Sequence, residues 1–367
     1  MKTLLFLTHD TSLSGAPKTM FLFLEELKIK GYTIDVISLK GGALENDFKK
    51  IARNYKCLDV YSKEYTYDIK SRILRLLFKK PILSAYDKIY QEILSEKYDL
   101  IYANTIVTLK FGVELKKQLS IPLISHVHEM HTVISEFCPD IKKYEKDVSL
   151  FIVPSEINKR CLKETHGIVS TKIEVLRSVS ILKNNFTVVK NKIQTVMMSG
   201  GAYWRKGDDV FIQIANKVLN KYKEVQFKWY GNISPERRRV NVLDLKNLNI
   251  EKFVEFNNEK EDLTEEYLSS DLFLLPSRED PFPLSAIEAG MAGLPIVCFE
   301  KATGISEVIS SDCVLPYLDI DQIAMKIIEL LKDNQLLEDI GLKNKLVFSD
   351  FTAFNQVGRL DYLINSI

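Results

Sequence analysis

The chain has 367 residues, more than one ordinary core holds, and this sets an expectation of about two domains. Its 46% hydrophobic and 27% charged content is that of a folded, water-dissolved protein. A net charge of +1 supplies no global field for nucleic acid, which is therefore not an expected partner.

The chain opens with MKTLLFLTHDTS, whose apolar run is too short for a signal-peptide core. No stretch approaches the ~20 apolar residues of a membrane span. The expected location is the cytoplasm. KTLLFLTH predicts a strand, TSLSGAP a turn, and KTMFLFLEELKIKGY a helix ending at Gly31. TIDVISLKGG predicts a second strand. Residues 69–81, IKSRILRLLFKKP, read as a basic amphipathic helix. Arg72, Arg75, Lys79 and Lys80 fall on one side; Ile73, Leu74, Leu77 and Phe78 fall on the other. Such a helix either packs on a core with a solvated basic face or lies on an anionic membrane. The second case would make the protein peripheral at the inner face of the membrane. YDLIYANT, PLISHVHE and VSLFIVPS predict further strands, with the helix LKFGVELKKQLS between the first two.

The rhythm then restarts. IQTVMMSGG predicts a strand, DDVFIQIANKVLNKY a helix, and VQFKWYG, KFVEFNN, DLFLLPS and PIVCF later strands with helices between. Alternating strands and helices argue for parallel sheets covered on both faces. The expected organisation is two similar α/β domains, 1–180 and 181–350, joined near the polar segment 178–192. The helix 351–367, with no strand after it, either packs on its own domain or crosses to the other. The cysteines Cys57, Cys138, Cys161, Cys298 and Cys313 are scattered and odd in number, which fits reduced thiols and neither a disulfide frame nor a zinc site.

Ligands of open α/β sheets sit beyond the carboxyl ends of strands. Four strand-end loops are candidates: THDTSLSGAP, HVHEMH, SGGAYWRKG and PSREDPFP. Two come from each half, and a cleft between the halves could gather them. In PSREDPFPLSAIEAG a helix is expected to begin near Leu284, past Pro281 and Pro283. The N–H groups around Phe282, Pro283, Leu284 and Ser285 then include unpaired donors at a positive helix end, suited to a diphosphate. Glu288 shares a helix face with Leu284 and Ser285 and could accept from two neighbouring ribose hydroxyls. Asp280, with Glu279 beside it, could bind hydroxyls of a second sugar. Isolated acids of this kind usually cap a helix or face water. Clustering at a strand end favours a ligand. Arg205 and Lys206 after the glycines of SGGAYWRKGDD offer two cations for phosphate charge, although such pairs are also common on surfaces. THDTSLSGAPKT lacks GxGxxG and the P-loop pattern. Gly15 either lets backbone approach a ligand or only makes a tight turn. His126, His128 and His131 lie within six residues with Glu129 among them. A polar site histidine is favoured over zinc, since no fourth ligand is evident, and a satisfied core histidine stays open.

With these residues in place, the chain resembles retaining glycosyltransferases of the GT-B fold, specifically glycosyltransferase family 4, over essentially its whole length. PSREDPFPLSAIEAGMAGLPIV is similar to the family's E-x7-E segment. The second acid is Glu288 and the first falls on Asp280, an aspartate here. WRKGDDVFIQIA resembles its RKG-type segment, SLSGAPKT its N-terminal glycine loop, and HVHE its histidine segment, with His128 the better match and His126 second. The family's arginine about five residues before the lysine is Gly201 here, with Arg205 the cation placed to take over its charge.

The resemblance implies two Rossmann-like domains facing across a cleft. The first would bind a saccharide or lipid-linked saccharide acceptor and the second a nucleotide sugar, with the final helix crossing back to the first. It also implies no cofactor and no metal. Glu288 would hold the nucleotide ribose, and Asp280 with the backbone after it the donor sugar. Lys206 and Arg205 would hold the diphosphate, and His128 would position the transferred sugar. A surface polysaccharide or glycolipid precursor is the implied context. Two alternatives stay open: a non-catalytic nucleotide-sugar-binding partner subunit and a same-fold sugar-nucleotide epimerase.

Overall fold

A computed structural model describes residues 2–58, 85–182 and 193–367 of the chain. The basic segment 69–81 and most of the polar join 178–192 lie outside the described residues. The chain divides into two compact units. The first comprises Met1–Val153, Lys159–Leu176 and Val357–Ile367, and the second Pro154–Asn158 and Arg177–Gln356.

In the first unit the described strands are β1 (Thr3–Thr8), β2 (Thr33–Ser38), β3 (Asn54–Cys57), β4 (Leu100–Asn104), β5 (Leu123–His126), β6 (Leu150–Val153) and β7 (Ile173–Val175). They form one sheet in the order β3-β2-β1-β4-β5-β6-β7. Every pairing in it is parallel. The second unit holds β8 (Gln194–Ser199), β9 (Val225–Tyr230), β10 (Val254–Asn257), β11 (Leu272–Leu275), β12 (Ile296–Phe299) and β13 (Val314–Leu315), in the order β10-β9-β8-β11-β12-β13. These too pair in parallel throughout. Both are Rossmann orders, in which the direction of winding reverses once, between β1 and β4 and between β8 and β11.

Sequence explains the central strands. Parallel strands under helices on both faces need continuous apolar runs, not alternation. LFLL of β11 and IVCF of β12 are buried at every position, as are the last five residues of TLLFLT in β1. Each such side chain removed from water contributes about 1.5–3 kcal/mol. The helices begin and end on local signals. Ser234 caps the helix Pro235–Leu248 by accepting from Arg237 N–H, with proline at its first turn. Asp319 and Asp333 cap Ile320–Lys332 and Asn334–Phe348 in the same way. In the first unit the last helix meets the chain's beginning. Tyr32 donates to Asp361 at 2.5 Å, and Lys2 Nζ donates to Ile364 O at 3.2 Å. Among the described residues no helix is long and apolar enough to cross a membrane.

Candidate functional site

In the second unit the switch point lies between β8 and β11, so the loops after these two strands, 200–207 and 276–283, leave side by side. Gly207 makes the approach possible. Its φ is 76°, and a Cβ there would lie 2.2 Å from Pro276 O. The loops are then laced by backbone. Arg278 N–H and Glu279 N–H both donate to Arg205 O, at 2.8 and 3.3 Å. Arg205 Nη1 returns a bond to Glu279 O at 2.7 Å, and its Nη2 donates to Tyr203 Oη at 3.1 Å.

Lys206 Nζ donates to Asp280 Oδ2 at 2.6 Å. The two side chains are only 12% and 5% exposed, so the pair is largely removed from water. Ser277 Oγ donates to the same carboxylate oxygen at 3.2 Å, and Arg205 stands 3.9 Å from Oδ1. Asp280 N–H is fixed on Ala302 O at 2.8 Å. Three residues on, Pro283 precedes the helix Leu284–Met291, whose N-terminus carries no side-chain cap. Ala286 N–H is taken by Pro283 O at 3.1 Å, and the Leu284 and Ser285 N–H groups with the positive end of the dipole are suited to an anion. Phe282 serves the core: its ring meets Phe351 edge-on at 5.4 Å and lies 5.0 Å from the Arg177 guanidinium.

Glu288 is one turn into this helix. Its Oε1 accepts from Ser180 Oγ at 2.7 Å and its Oε2 from Tyr267 Oη at 3.1 Å. Burial, reinforced by the Glu288 carboxylate, pushes the Tyr267 phenol well above its ordinary range, so it stays a donor. Behind the cationic loop, the fully buried Asp208 takes a bidentate Arg237 at 2.6 and 2.8 Å and Asn241 at 2.9 Å. Asp209 holds Arg278 through two 2.9 Å bonds. Burial pushes the Asp209 carboxyl up, but Arg278 outweighs it and holds the group below its usual value.

The first unit builds a separate cluster at its own switch point, between β1 and β4. His9 follows β1, and Gly15 opens the helix Gly15–Ile29 at an exposed position. Thr105, directly after β4, has φ 91° and ψ 154°, a region kept almost entirely for glycine. Strain of this kind in a β-branched residue persists only where its surroundings impose it. Here Thr105 N–H is held on His126 O at 2.8 Å, and its Oγ1 lies 3.4 Å from His9 Nδ1. His126 and His128 stack with centroids 3.8 Å apart. His126 Nδ1 is 2.7 Å from Tyr102 Oη, and His128 Nε2 is 2.8 Å from Asn104 Oδ1. Burial pushes the His128 ring down to about 3, helped by His9, and lowers His126 well below the ordinary imidazole value. His131 turns to His166, with rings 5.4 Å apart, and Glu129 accepts from Ile106 N–H at 3.1 Å.

The structure thus brings Arg205, Lys206, Glu279 and Asp280 together on two laced loops, with Pro283, Leu284 and Glu288 on the helix that follows. Gly15 and His128 belong to the first unit. Sequence reasoning missed Ser180, Tyr267, Ser277, Asn104 and His9. A strand-end position was the available signal for His9 and Asn104. Ser180 and Tyr267 reach Glu288 from 108 and 21 residues away, a relation without local signature.

Comparison with known proteins agrees with this layout. Residues 13–178 match the family model for glycosyltransferase family 4, and residues 193–333 that for glycosyl transferases group 1. An uncharacterized glycosyltransferase of Haemophilus influenzae is 26% identical over 188 residues, 49% of this chain and 53% of that protein. The sulfoquinovosyl transferase of Arabidopsis thaliana is 22% identical over 71% of this chain and 55% of its own length. An exopolysaccharide phosphotransferase of Streptomyces coelicolor is 26% identical over 53% of this chain but only 21% of its own. The chain thus spans about half or less of the length of these curated relatives. Among solved structures, HepE of Anabaena, in complex with UDP and glucose, superposes with a TM-score of 0.80 at 16% identity, covering 100% of both chains. Sucrose-phosphate synthase of Thermosynechococcus elongatus gives 0.76 at 16% identity with the same coverage. Two Rossmann-ordered parallel sheets and two family models that between them take in most of the sequence establish that the chain belongs to glycosyltransferase family 4, with the GT-B fold.

Proposed function

We propose that the protein transfers a sugar from a nucleotide-diphosphate donor to an acceptor hydroxyl, with retention of anomeric configuration and without a metal. The observation that carries this reading is the set at the β8/β11 switch point: a half-buried lysine and a neighbouring arginine on two laced loops, followed by a helix N-terminus without a side-chain cap. Such a set offers fixed positive charge to a diphosphate as its bond to the sugar breaks, and preorganised charge of this kind is the largest single source of many rate enhancements. Glu288, already oriented by two hydroxyl donors, is assigned to the ribose diol. Asp280, with Glu279 and the backbone through Leu284, is assigned to the donor sugar. Gly15 is assigned to backbone approach to the donor, and His128 to positioning the transferred sugar. The acceptor oxygen attacks on the face the leaving group departs from, which gives retention without a covalent enzyme intermediate. HepE, whose complexes hold UDP and glucose, supports a nucleotide-diphosphate donor. The exopolysaccharide phosphotransferase and the sulfoquinovosyl transferase among the relatives support a saccharide or lipid-linked saccharide acceptor, which we assign to surface polymer or glycolipid synthesis.

The test is calorimetry of the full chain against a panel of nucleotide sugars, beside Glu288→Ala. One preferred donor, lost in the variant, is expected. No binding by any donor overturns the reading. A non-catalytic nucleotide-sugar-binding subunit is favoured by one observation: a Cβ at Gly201 would lie 2.5 Å from the Tyr203 ring, so that ring stands where a side chain at the family's arginine position would begin. Release of nucleoside diphosphate on adding acceptor separates the two.

A further inference from the structure

The histidine cluster of the first unit fixes more than a position. Asn104 ends β4, in register with His126 of β5, and this brings its amide to the His128 ring. Asn104 Nδ2 donates to Ala16 O at 3.2 Å. A backbone carbonyl oxygen can only accept, so the amide has one orientation, with nitrogen toward Ala16 and oxygen toward His128. Asn104 Oδ1 in turn can only accept. The hydrogen in its 2.8 Å contact with His128 Nε2 must therefore be carried by the ring.

We propose that Asn104 is a positioning residue that locks His128 as the Nε2–H tautomer, so that the ring presents a bare Nδ1 lone pair to its ligand and selects a hydroxyl of the transferred sugar over an anionic group. The ligand half of this proposal rests on the reading of His128 as a sugar-site residue. Among the described residues nothing hydrogen-bonds His128 Nδ1, so the lone pair is available. The ring is held neutral by burial and by His9, which keeps a second proton off Nδ1. A lone pair accepts from a hydroxyl but repels the oxygen of a carboxylate or phosphate. The strained Thr105, anchored on His126 O, holds the end of β4 in the place that this relay requires.

The experiment is nitrogen NMR of the full chain with isotope-labelled histidine near neutral pH, with His128 assigned from the spectrum of His128→Gln. In the ligand-free protein Nε2 is expected at the shift of a protonated ring nitrogen and Nδ1 at that of a lone-pair nitrogen. The reverse pattern, or a doubly protonated ring, overturns the proposal. Asn104→Leu is expected to give exchange-averaged shifts of both tautomers, and unchanged shifts would show that Asn104 does not select between them.

The ligand half is read with a series of deoxy-sugar donors. Asn104→Leu should lower kcat/KM about tenfold for the parent donor, the scale of one hydrogen bond, and have almost no effect for the one analogue lacking the contacted hydroxyl. An equal loss for every member of the series overturns the hydroxyl assignment. Absence of any nucleotide-sugar binding overturns the function reading and the hydroxyl assignment together, whereas the tautomer is decided on the ligand-free chain alone.

Discussion

Lys206 and Asp280, 74 residues apart in sequence, form a 2.6 Å ion pair that closes the contact between the β8 and β11 loops. The pair has two consequences. It holds a cation in place before any donor arrives, and it keeps that cation from being an unpaired charge in a largely dry site. A diphosphate would then share Lys206 with Asp280, and the carboxylate would set how much positive charge the donor receives.

Removing one partner exposes the pair's cost. Lys206→Met leaves the buried Asp280 with a hydrogen bond from Ser277 and the Arg205 cation 3.9 Å away, and should lower stability by about 3 kcal/mol, the low end for a broken buried pair. Lys206→Met/Asp280→Asn should recover much of that loss, because the uncompensated charge is gone. Nucleotide-sugar binding should be lost in both. Urea unfolding and calorimetry on the four proteins of the cycle decide the matter. Additive stability changes would show that the two residues are not coupled.

Glu288 should separate binding from folding. Glu288→Gln keeps the shape and the contact with Ser180, but it replaces one acceptor by an amide donor that faces the Tyr267 hydroxyl. Donor affinity is expected to fall tenfold or more, with a stability change of roughly 1 kcal/mol. Tyr267→Phe should give a smaller loss of affinity in the same direction. Titration calorimetry alongside thermal unfolding reads both, and a large fall in Tm with unchanged affinity would place Glu288 outside the donor site.

The second unit's buried acid makes a purely structural prediction. Asp208 is fully buried and its charge is met by Arg237. Arg237→Ala should cost about 3–5 kcal/mol, and Asp208→Asn in the same chain should restore part of it. Chemical denaturation measures this without any ligand. A loss under 1 kcal/mol would mean that water replaces the guanidinium.

What the sequence made legible follows from where the physics is local. The apolar runs of β1, β4, β11 and β12 are buried on both faces and announce themselves. The helix start at Leu284 follows from Pro281 and Pro283, and the cations of 205–206 from their place after a strand. Three of the four edge strands were silent. NYKC of β3, IEV of β7 and VL of β13 are short and partly exposed, so no apolar run marks them. The helix Pro235–Leu248 buries only Asn241 and Leu245, and PERRRVNVLDLKNL shows no stripe. The side-chain logic of the site was the least legible part. Asp280 looked like a sugar ligand, and only the fold shows that its carboxylate is engaged by Lys206. The meaning of Asn104 depends on Ala16, His128 and a strand register.

Thr105 tests whether strain serves the site. At φ 91° and ψ 154°, glycine relieves a backbone conformation that costs on the order of 1–3 kcal/mol in other residues. Some of that gain is offset by glycine's greater freedom when unfolded and by the side-chain volume lost at a buried position. Thr105→Gly is expected to be neutral to about 1 kcal/mol more stable, yet less active, because Oγ1 no longer meets His9. Thermal unfolding and initial rates check the two halves. A variant that is both less stable and equally active would remove the link between strain and function.

The histidines predict acid sensitivity with a definite sign. Burial lowers His9, His126 and His128, the last to about 3, against about 6.5 in the unfolded chain. Between those values the unfolded state binds protons that the folded state refuses, so stability falls as pH drops below 6.5 and is fully present above it. Each histidine held neutral through this window contributes at most about 1.4 kcal/mol per pH unit, and less where solvent reaches the ring. His128→Asn should therefore unfold with a shallower pH dependence between 6.5 and 5 than the parent, while matching its slope above pH 7. The same neutrality keeps His128 from titrating between pH 5 and 8, so any inflection of the rate in that range should survive this substitution. Urea midpoints at several pH values decide the first point. An unchanged slope in His128→Asn would mean that the ring already carries its second proton in the folded chain, against the burial and the neighbouring His9 that disfavour the charged form.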